Sequence, residues 1–375
     1  MSAIERRQPL HAFFMQRAME LARRGWYTTR PNPRVGCVIT QGNVVRGEGW
    51  HQRAGEGHAE VQALDDVRAR GNDPKGATVY VTLEPCSHSG RTPPCTKALI
   101  EAGVARVVIG AQDPNPAVNG QGIAALRAAG IEVVTGVMAE ACAALNAGFN
   151  LRMAQGRPRV RIKLAMSLDG RTAAADGSSQ WITGEVARDD VHRLRAESGA
   201  VLIGHGTLAA DDPSLNVRLP GDWVPPLRVV LDSDLAMRAD ARMLGLDGAT
   251  LVVTASEDSE RRRTLEAVGA EVRVVPRGDG GLDLPRILAI LGEREINDVL
   301  VEAGPTLAGA LTRAGLVDEF VIYVAPLLIG ANGRALMALS GAVGLDDAQA
   351  LVFDNIEPMG TDLKITARPA LSQSE

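Results

Sequence analysis

Leu83-Glu84-Pro85-Cys86-Ser87-His88-Ser89-Gly90-Arg91-Thr92-Pro93-Pro94-Cys95, read with the earlier triplet His58-Ala59-Glu60, decides the first half of this chain. An apolar run, Thr78–Leu83, leads into Cys86, and Pro94 opens a helical stretch to Ala102 that carries Cys95. His58 and Glu60 stand at the start of a second helical stretch, Ala59–Ala69, with Ala59, Ala63, Leu64 and Val67 at helical spacing. One imidazole and two thiolates are three donors for tetrahedral zinc and leave a fourth position for water, whereas a closed structural site would take four protein ligands. Zinc lowers the pKa of its water and makes hydroxide available near neutral pH. Glu60, two residues from His58, can shuttle protons without ligating. Cys95, at a helix start, is expected to be held as thiolate by the positive helix end. His88 lies between the cysteines and is a rival ligand. His51 and Cys37 are not at ligand spacing, and Cys37 and Cys142 read as packing.

Outward from this motif, Phe13–Arg24 reads as a helix, and Val35–Thr40 and Asn43–Gly49 as strands joined at Gln41-Gly42. Arg106–Gly110 and Ile131–Val134 read as strands, Gly122–Ala129 and Ala139–Ala147 as helices. The order α-β-β-α-β-α-β-α-β-α implies a mixed sheet with helices on its faces. A basic stretch, Arg152 to Arg161 with Gly156 and Pro158, places a domain boundary near Asn150, giving domains 1–150 and 151–375. The α/β pattern then restarts and runs to Glu319–Val324, with Thr361–Thr366 as a final edge strand.

The chain has 375 residues with 40 basic and 45 acidic side chains, a formal charge of −5, and 45% hydrophobic residues. A prior of roughly 150 residues per domain gives two or three domains. The apolar content excludes a disordered chain, and no apolar run approaches the roughly 18 residues that span a bilayer. The first residues, with Glu5, Arg6, Arg7, Gln8 and Pro9, lack a secretory apolar region, so the expected location is cytoplasmic. Net acidity and 3% aromatic residues argue against nucleic acid as partner. Four cysteines are too few for a disulfide scaffold.

The second half has no G-x-G-x-x-G. Val301-Glu302-Ala303-Gly304-Pro305-Thr306-Leu307-Ala308-Gly309-Ala310 instead follows strand Asp298–Val301 and opens a helix. Small residues there let backbone N–H groups approach a pyrophosphate at a helix N-terminus, although a tight turn packed on the sheet has the same sequence. Lys163-Leu164-Ala165-Met166-Ser167-Leu168-Asp169-Gly170 runs from strand to turn, and Ser179-Gln180-Trp181-Ile182-Thr183 puts a tryptophan in a polar loop. Gly204-His205-Gly206-Thr207, then Asp211-Asp212-Pro213, reads as a polar turn after an apolar strand. All lie at carboxyl ends of strands, where open α/β sheets gather ligands.

The His58/Glu60/Pro85-Cys86 pattern resembles that of zinc nucleobase deaminases, H-x-E then P-C-x-x-C, except that eight residues, Ser87 to Pro94, separate the cysteines. With Pro31-Asn32-Pro33-Arg34-Val35-Gly36-Cys37-Val38 added, it closely resembles the bifunctional pyrimidine deaminase/reductases of riboflavin biosynthesis, in which the long interval is expected. The second-half motifs resemble the reductase of the same family, so the likeness runs from about Phe13 to Thr366. It implies a cytidine-deaminase-like zinc domain followed by a dihydrofolate-reductase-like domain, both α/β. It implies zinc on His58, Cys86 and Cys95, a proton shuttle at Glu60, and Asn32, His51 and Arg91 holding the pyrimidine or the ribose phosphate. It implies NADPH contacts at Ala165, Trp181, Thr207, Asp211, Ser233 and the loop Gly304, Pro305, Thr306, Leu307, Ala308, Gly309 and Ala310. Substrate contacts would be Ser179, Arg195, Leu215, Arg218 and Glu302, the two guanidiniums suiting a sugar phosphate. On its own, Arg195 in Arg193-Leu194-Arg195 reads as a solvated helix face. Asp211 and Glu302 are the candidates for the reductase proton donor. No basic partner for a cofactor 2′-phosphate stands out near Ser233. The implied partners are small pyrimidine ribosylamino phosphates and further copies of the chain. Two other readings are a nucleic-acid-editing zinc deaminase with an accessory binding domain, which charge and aromatic content disfavour, and a regulator with structural zinc, which the missing fourth ligand and the presence of Glu60 disfavour.

Overall fold

Hydrophobic periodicity places the first elements close to where the computed structural model has them; it describes residues 3–87, 93–278, 280–339 and 344–370. The chain forms two compact units, Met1–Gly156 with Asp222–Val224, and Arg157–Gly221 with Pro225–Glu375. His88 and Arg91 lie outside the described residues.

The first unit contains α1 (Ala3–Arg23), β1 (Gly36–Gln41), β2 (Val44–Trp50), α2 (Ala59–Ala69), β3 (Thr78–Leu83), α3 (Cys95–Glu101), β4 (Arg106–Ala111), α4 (Gln121–Ala128), β5 (Glu132–Thr135), α5 (Ala139–Ala144) and α6 (Ala147–Gln155). Its sheet order is β2-β1-β3-β4-β5. The β1–β2 and β1–β3 pairs are antiparallel, and β3–β4 and β4–β5 are parallel. β3 is buried on both faces, as a central strand covered by helices must be. One face packs Leu64, Val79, Leu99 and Ile109; the other packs Met15, Val38, Tyr80 and Cys142. Gly49 has a specific use: a Cβ there would lie 2.4 Å from the Ala63 nitrogen, so only glycine lets α2 settle onto β2. That contact sets where His58, the residue before α2, stands.

Two expectations change here. The helix read over Ala139–Ala147 is two helices, and α6 runs through the expected boundary at Asn150. Asn146 causes the break: its side chain bonds the Arg34 backbone, accepting at 2.7 Å and donating at 2.9 Å, which holds it in a non-helical conformation. Gly156, left-handed at φ 71°, then ends α6. The stretch read as a linker is therefore the last turn of α6, a short connection at 156–158 and the start of β6.

The second unit contains β6 (Arg159–Ser167), β7 (Arg171–Ala173), α7 (Glu185–Glu197), β8 (Ala200–Gly204), α8 (His205–Asp211), β9 (Leu227–Leu231), β10 (Thr250–Thr254), α9 (Ser259–Ala267), β11 (Ala270–Val274), β12 (Arg277–Gly278), β13 (Gly281–Leu282), α10 (Leu284–Glu293), β14 (Asp298–Val301), α11 (Pro305–Arg313), β15 (Glu319–Ala325), β16 (Arg334–Ala335), β17 (Leu351–Met359) and β18 (Asp362–Pro369). The main sheet runs β11-β10-β9-β8-β14-β6-β15-β18-β17. It is parallel from β11 to β15 and antiparallel over the last two pairings. Two apolar layers, one with Ile162, Leu202, Val229 and Leu291, the other with Leu194, Ile203, Val230 and Tyr323, cover its faces.

The strand expected at the edge is internal: β18 lies between β15 and β17, and β17 is the outer strand. β17 escaped notice because Asp354, Asn355, Glu357 and Pro358 break any strand pattern there. The stretch read as a polar turn at 204–213 contains α8, a short helix closed by Asp212 in the left-handed region at φ 40°. Among the described residues no helix is long and apolar enough to cross a membrane.

Candidate functional site

His58 is the N-cap of α2 and projects an imidazole that the helix does not need for capping. Cys86 follows the end of β3, and Cys95 is the first residue of α3. The fold brings these together: His58 Nδ1 lies 3.2 Å from Cys95 Sγ and 3.6 Å from Cys86 Sγ. One ligand atom from each lies within 4.8 Å of the others. This donor set, one nitrogen and two sulfurs within reach of one another, fits zinc. Cys86 Sγ also accepts the Cys95 N–H at 3.4 Å, and the Cys86 carbonyl accepts from the Thr96 N–H and hydroxyl, each at 3.2 Å.

A hydrogen bond from Cys95, opposed by burial and aided by His58, lowers Cys86, and the same pairing together with burial pushes Cys95 up. The two thiols titrate as a pair. His58 is raised, first through Cys86 and against burial.

Glu60, in the first turn of α2, is 3% exposed. Burial, then the Cys86 charge, push its carboxyl up to about 7, against the pull of His58 and Cys95. It is thus placed beside the three donors without being one of them. His51 stands edge-on to His58, ring centroids 5.2 Å apart. Its Nδ1 faces the Gly57 carbonyl at 3.3 Å and its Nε2 faces Asn32 Nδ2 at 3.0 Å. This assigns the proton to Nδ1, and burial lowers the ring's pKa. Asn32 and His51, paired only by resemblance in the sequence, are therefore adjacent to the metal donors. Cys37 and Cys142 are buried and bear out the packing reading.

In the second unit a cavity of about 350 Å³ opens at the carboxyl ends of β6 and β14. Of the expected residues it is lined by Ala165, Ser179, Trp181, Arg195, Thr207, Arg218, Glu302, Gly304 and Pro305. Arg195 is not on a solvated face: its Nε and Nη2 donate to the two Glu302 oxygens at 2.5 and 2.9 Å, and Nη1 donates to the Asn216 carbonyl. Burial opposes the Glu302 charge, but Arg195 and then Lys163 outweigh it and hold the carboxyl below its usual range. Arg218 places its backbone N–H and its Nε at 3.2 and 3.1 Å from the two nitrogens of His192.

Other expected residues are not in this wall. Leu215 is 2% exposed and packed in the core, so any ligand contact would be through its backbone. Asp211 is the exposed end of α8, and Ser233 follows β9, its carbonyl taken by Thr254 and Ala255. The loop expected at 304–310 is helix from Pro305 on, and helical turning carries Ala308 and Gly309 inward. A Cβ on Gly309 would lie 2.3 Å from the Ala338 carbonyl oxygen. Gly304 differs: its φ is −72°, open to any residue, and a Cβ there would meet nothing within 4 Å. Its lack of a side chain leaves open space, as a backbone that cradles a ligand requires.

The sequence reading missed Lys163, Arg188, His192 and Arg334 as lining residues. Lys163 carried a signal, a cation in the otherwise apolar Ile162-Lys163-Leu164. Its pKa is lowered by burial, with Glu302 opposing. Arg188 lies over the Trp181 ring at 4.9 Å and donates to the Thr183 carbonyl at 2.8 Å, contacts no local pattern reveals.

Residues 9–111 match the cytidine and deoxycytidylate deaminase zinc-binding region, and residues 158–365 match the RibD C-terminal domain. The chain is 48% identical over 367 residues to the riboflavin biosynthesis protein RibD of Escherichia coli K12, covering 94% of this chain and 97% of that protein. It is 41% identical to RibD of Bacillus amyloliquefaciens, covering 96% of each. Acinetobacter baumannii RibD superposes with a TM-score of 0.90 at 40% identity over 97% of this chain and 100% of that one. The diaminohydroxyphosphoribosylaminopyrimidine deaminase/5-amino-6-(5-phosphoribosylamino)uracil reductase of Thermotoga maritima superposes with a TM-score of 0.87 at 34% identity over 97% of this chain and 99% of that one.

Proposed function

The chain belongs to the RibD family of riboflavin biosynthesis, and from that premise we propose how its two units divide the work. It is a bifunctional enzyme, a zinc-dependent deaminase and an NADPH-dependent reductase, acting on small pyrimidine substrates. The deaminase activity is assigned to Met1–Gly156 and the reductase to the unit that starts at Arg157. The substrates are a diaminopyrimidinone ribosylamino phosphate and then its deaminated uracil product.

The observation that carries this reading is the convergence of His58 Nδ1 and two Sγ atoms beside the buried Glu60. His58, Cys86 and Cys95 would hold zinc, which supplies Lewis-acid activation of water when bound. Glu60 takes the proton released by the attacking water and delivers it to the departing amino group, so that ammonia leaves neutral. A carboxyl poised by burial near neutral pH suits both transfers. His51 and Asn32 orient the pyrimidine from beside His58, and Arg91 is assigned to the substrate by resemblance alone.

In the reductase, NADPH supplies hydride to the ribosyl C1′. Gly304, Pro305, Thr207, Ala165 and Trp181 would hold the cofactor; Asp211, Ser233 and residues 306–310 are assigned to it by resemblance. Arg218, Arg195, Ser179 and Glu302 hold the substrate, with Leu215 contributing backbone. Glu302 lines the cavity and Asp211 does not. The cations that keep Glu302 ionised suit it to orienting the substrate.

We also place the enzyme in the cytoplasm, where four free cysteines persist, and we infer a homo-oligomer without nucleic acid. The support for self-association is β17, an outer strand whose Phe353 and Ile356 are 63% and 53% exposed. A single purified sample tests the function. One zinc per chain, ammonia release from the diaminopyrimidinone, and NADPH oxidation that depends on that release support it; a zinc-free protein without either activity refutes it.

A further inference from the structure

We propose that Glu84 is a positioning residue of the deaminase, a buried carboxylate that fixes Cys86 in register with the other zinc ligands. The inference rests on the zinc reading above. Glu84 stands two residues before Cys86 and is 3% exposed, and among the described residues it forms no salt bridge. Its Oε2 accepts the N–H of Gly120 at 3.0 Å and of Asp113 at 3.3 Å, and its Oε1 accepts the N–H of Ile123 at 3.1 Å. Three backbone donors from the segment leading into α4 thus converge on one side chain at the end of β3.

A second contact shows how tightly this junction is set. A Cβ on Gly122 would lie 2.0 Å from the Pro85 carbonyl oxygen and 3.2 Å from Glu84 Oε1. The backbone of α4 therefore rests directly on the Pro85–Cys86 peptide, with no room for either side to shift. On the far side, Thr96 holds the Cys86 carbonyl through its N–H and hydroxyl. Cys86 is clamped between α4 and α3, and Glu84 is the α4 half of the clamp. Its own N–H is used in the sheet, donating to the Ala111 carbonyl at 2.9 Å, so the side chain alone reaches α4.

The chemistry separates glutamate from its isostere. All three contacts need an acceptor, and a carboxylate offers acceptors on both oxygens. In Glu84→Gln one of those positions becomes an NH₂ group facing an N–H donor, which forces the segment away from α4 with almost no change in volume. Gly122→Ala disturbs the same junction from the other side and leaves the carboxylate untouched.

Full-length Glu84→Gln and Gly122→Ala are to be compared with wild type for zinc affinity by chelator competition, for the visible absorption of the cobalt(II)-substituted protein, and for NADPH oxidation by the reductase half. Losses of about 10–100-fold in zinc affinity are the scale for outer-shell partners of metal ligands. We expect a loss of that size in both variants, a shifted or weakened cobalt–thiolate spectrum, a fall in deaminase kcat at saturating zinc with KM little changed, and an unaltered reductase. Wild-type zinc affinity and cobalt spectrum in either folded variant, with only a lower melting temperature, would overturn the proposal and leave Glu84 as a brace of the fold. Wild-type protein that itself takes up no zinc or cobalt refutes the zinc reading and this proposal with it, an outcome recognisable because it does not involve the variants.

Discussion

Gly304→Val separates a glycine kept for a ligand from one kept for the fold. Gly304 is the N-cap of α11 with φ −72° and ψ 178°, a conformation valine adopts readily, and its Cβ would enter open space. The cost to the apo protein is a poorer cap, under about 1 kcal/mol, or a melting shift of roughly 2–4 °C for a unit of this size. The cost to NADPH is larger. An isopropyl group at the cavity mouth would hold the pyrophosphate off the backbone and forfeit one or two hydrogen bonds to a charged group, at about 1.5–3 kcal/mol each. The sum, about 1.5–6 kcal/mol, is a loss of roughly 10-fold to 10,000-fold or more in affinity at 1.4 kcal/mol per tenfold. The assay is direct titration of NADPH, with reductase rate, ammonia release and thermal melting on the same preparation. We expect NADPH affinity and reduction to collapse while deamination and melting stay near wild type. Gly309→Ala is the control: its Cβ would lie 2.3 Å from the Ala338 oxygen, so overpacking by about 1–3 kcal/mol should lower the melting temperature whether or not cofactor is present. Unchanged NADPH affinity in a well-folded Gly304→Val protein would remove Gly304 from the cofactor site.

Cys86→Ser should lose most of its zinc, and full retention by elemental analysis would show the ligand set to be wrong. Glu60→Gln should keep zinc and lose deamination by about 100-fold or more, the scale of a general acid–base group; normal ammonia release would exclude Glu60 as the shuttle. The truncated chain Met1–Gly156 should fold and bind one zinc, and insolubility or absence of metal in every such preparation would show that the deaminase needs the rest of the chain. Glu319 is a stability test. Burial alone would raise its pKa, but Arg161 and then Arg159 hold it below the usual range, with Arg161 Nε donating at 2.6 Å. Glu319→Gln should cost about 2 kcal/mol at neutral pH, less than the 3–5 of a fully broken buried pair because Glu197 still bonds Arg161. A depressed carboxylate stabilises above its unfolded pKa of about 4.3 and loses that contribution as pH falls below it. The melting gap between wild type and variant should therefore narrow on acidification, and a gap constant down to pH 3 would contradict the electrostatic account.

Features with local causes can be read along the chain. The spacing of Ala59, Ala63, Leu64 and Val67 marks α2, and apolar runs mark β3 and β14, each found with the expected bounds. The metal motif was legible for the same reason, since a His and a Glu in one turn and a Cys after a strand are short-range patterns. What the tertiary structure decided was partnership across distance. Arg195 looks solvated on its helix until Glu302 is brought opposite by the pairing of β8, β14 and β6. His192 has no role along the chain until Arg218 folds back over both of its ring nitrogens. Strand order was equally invisible: nothing in Asp362–Pro369 says that β17 will cover it, because period-two alternation fixes a strand's faces and not its neighbours.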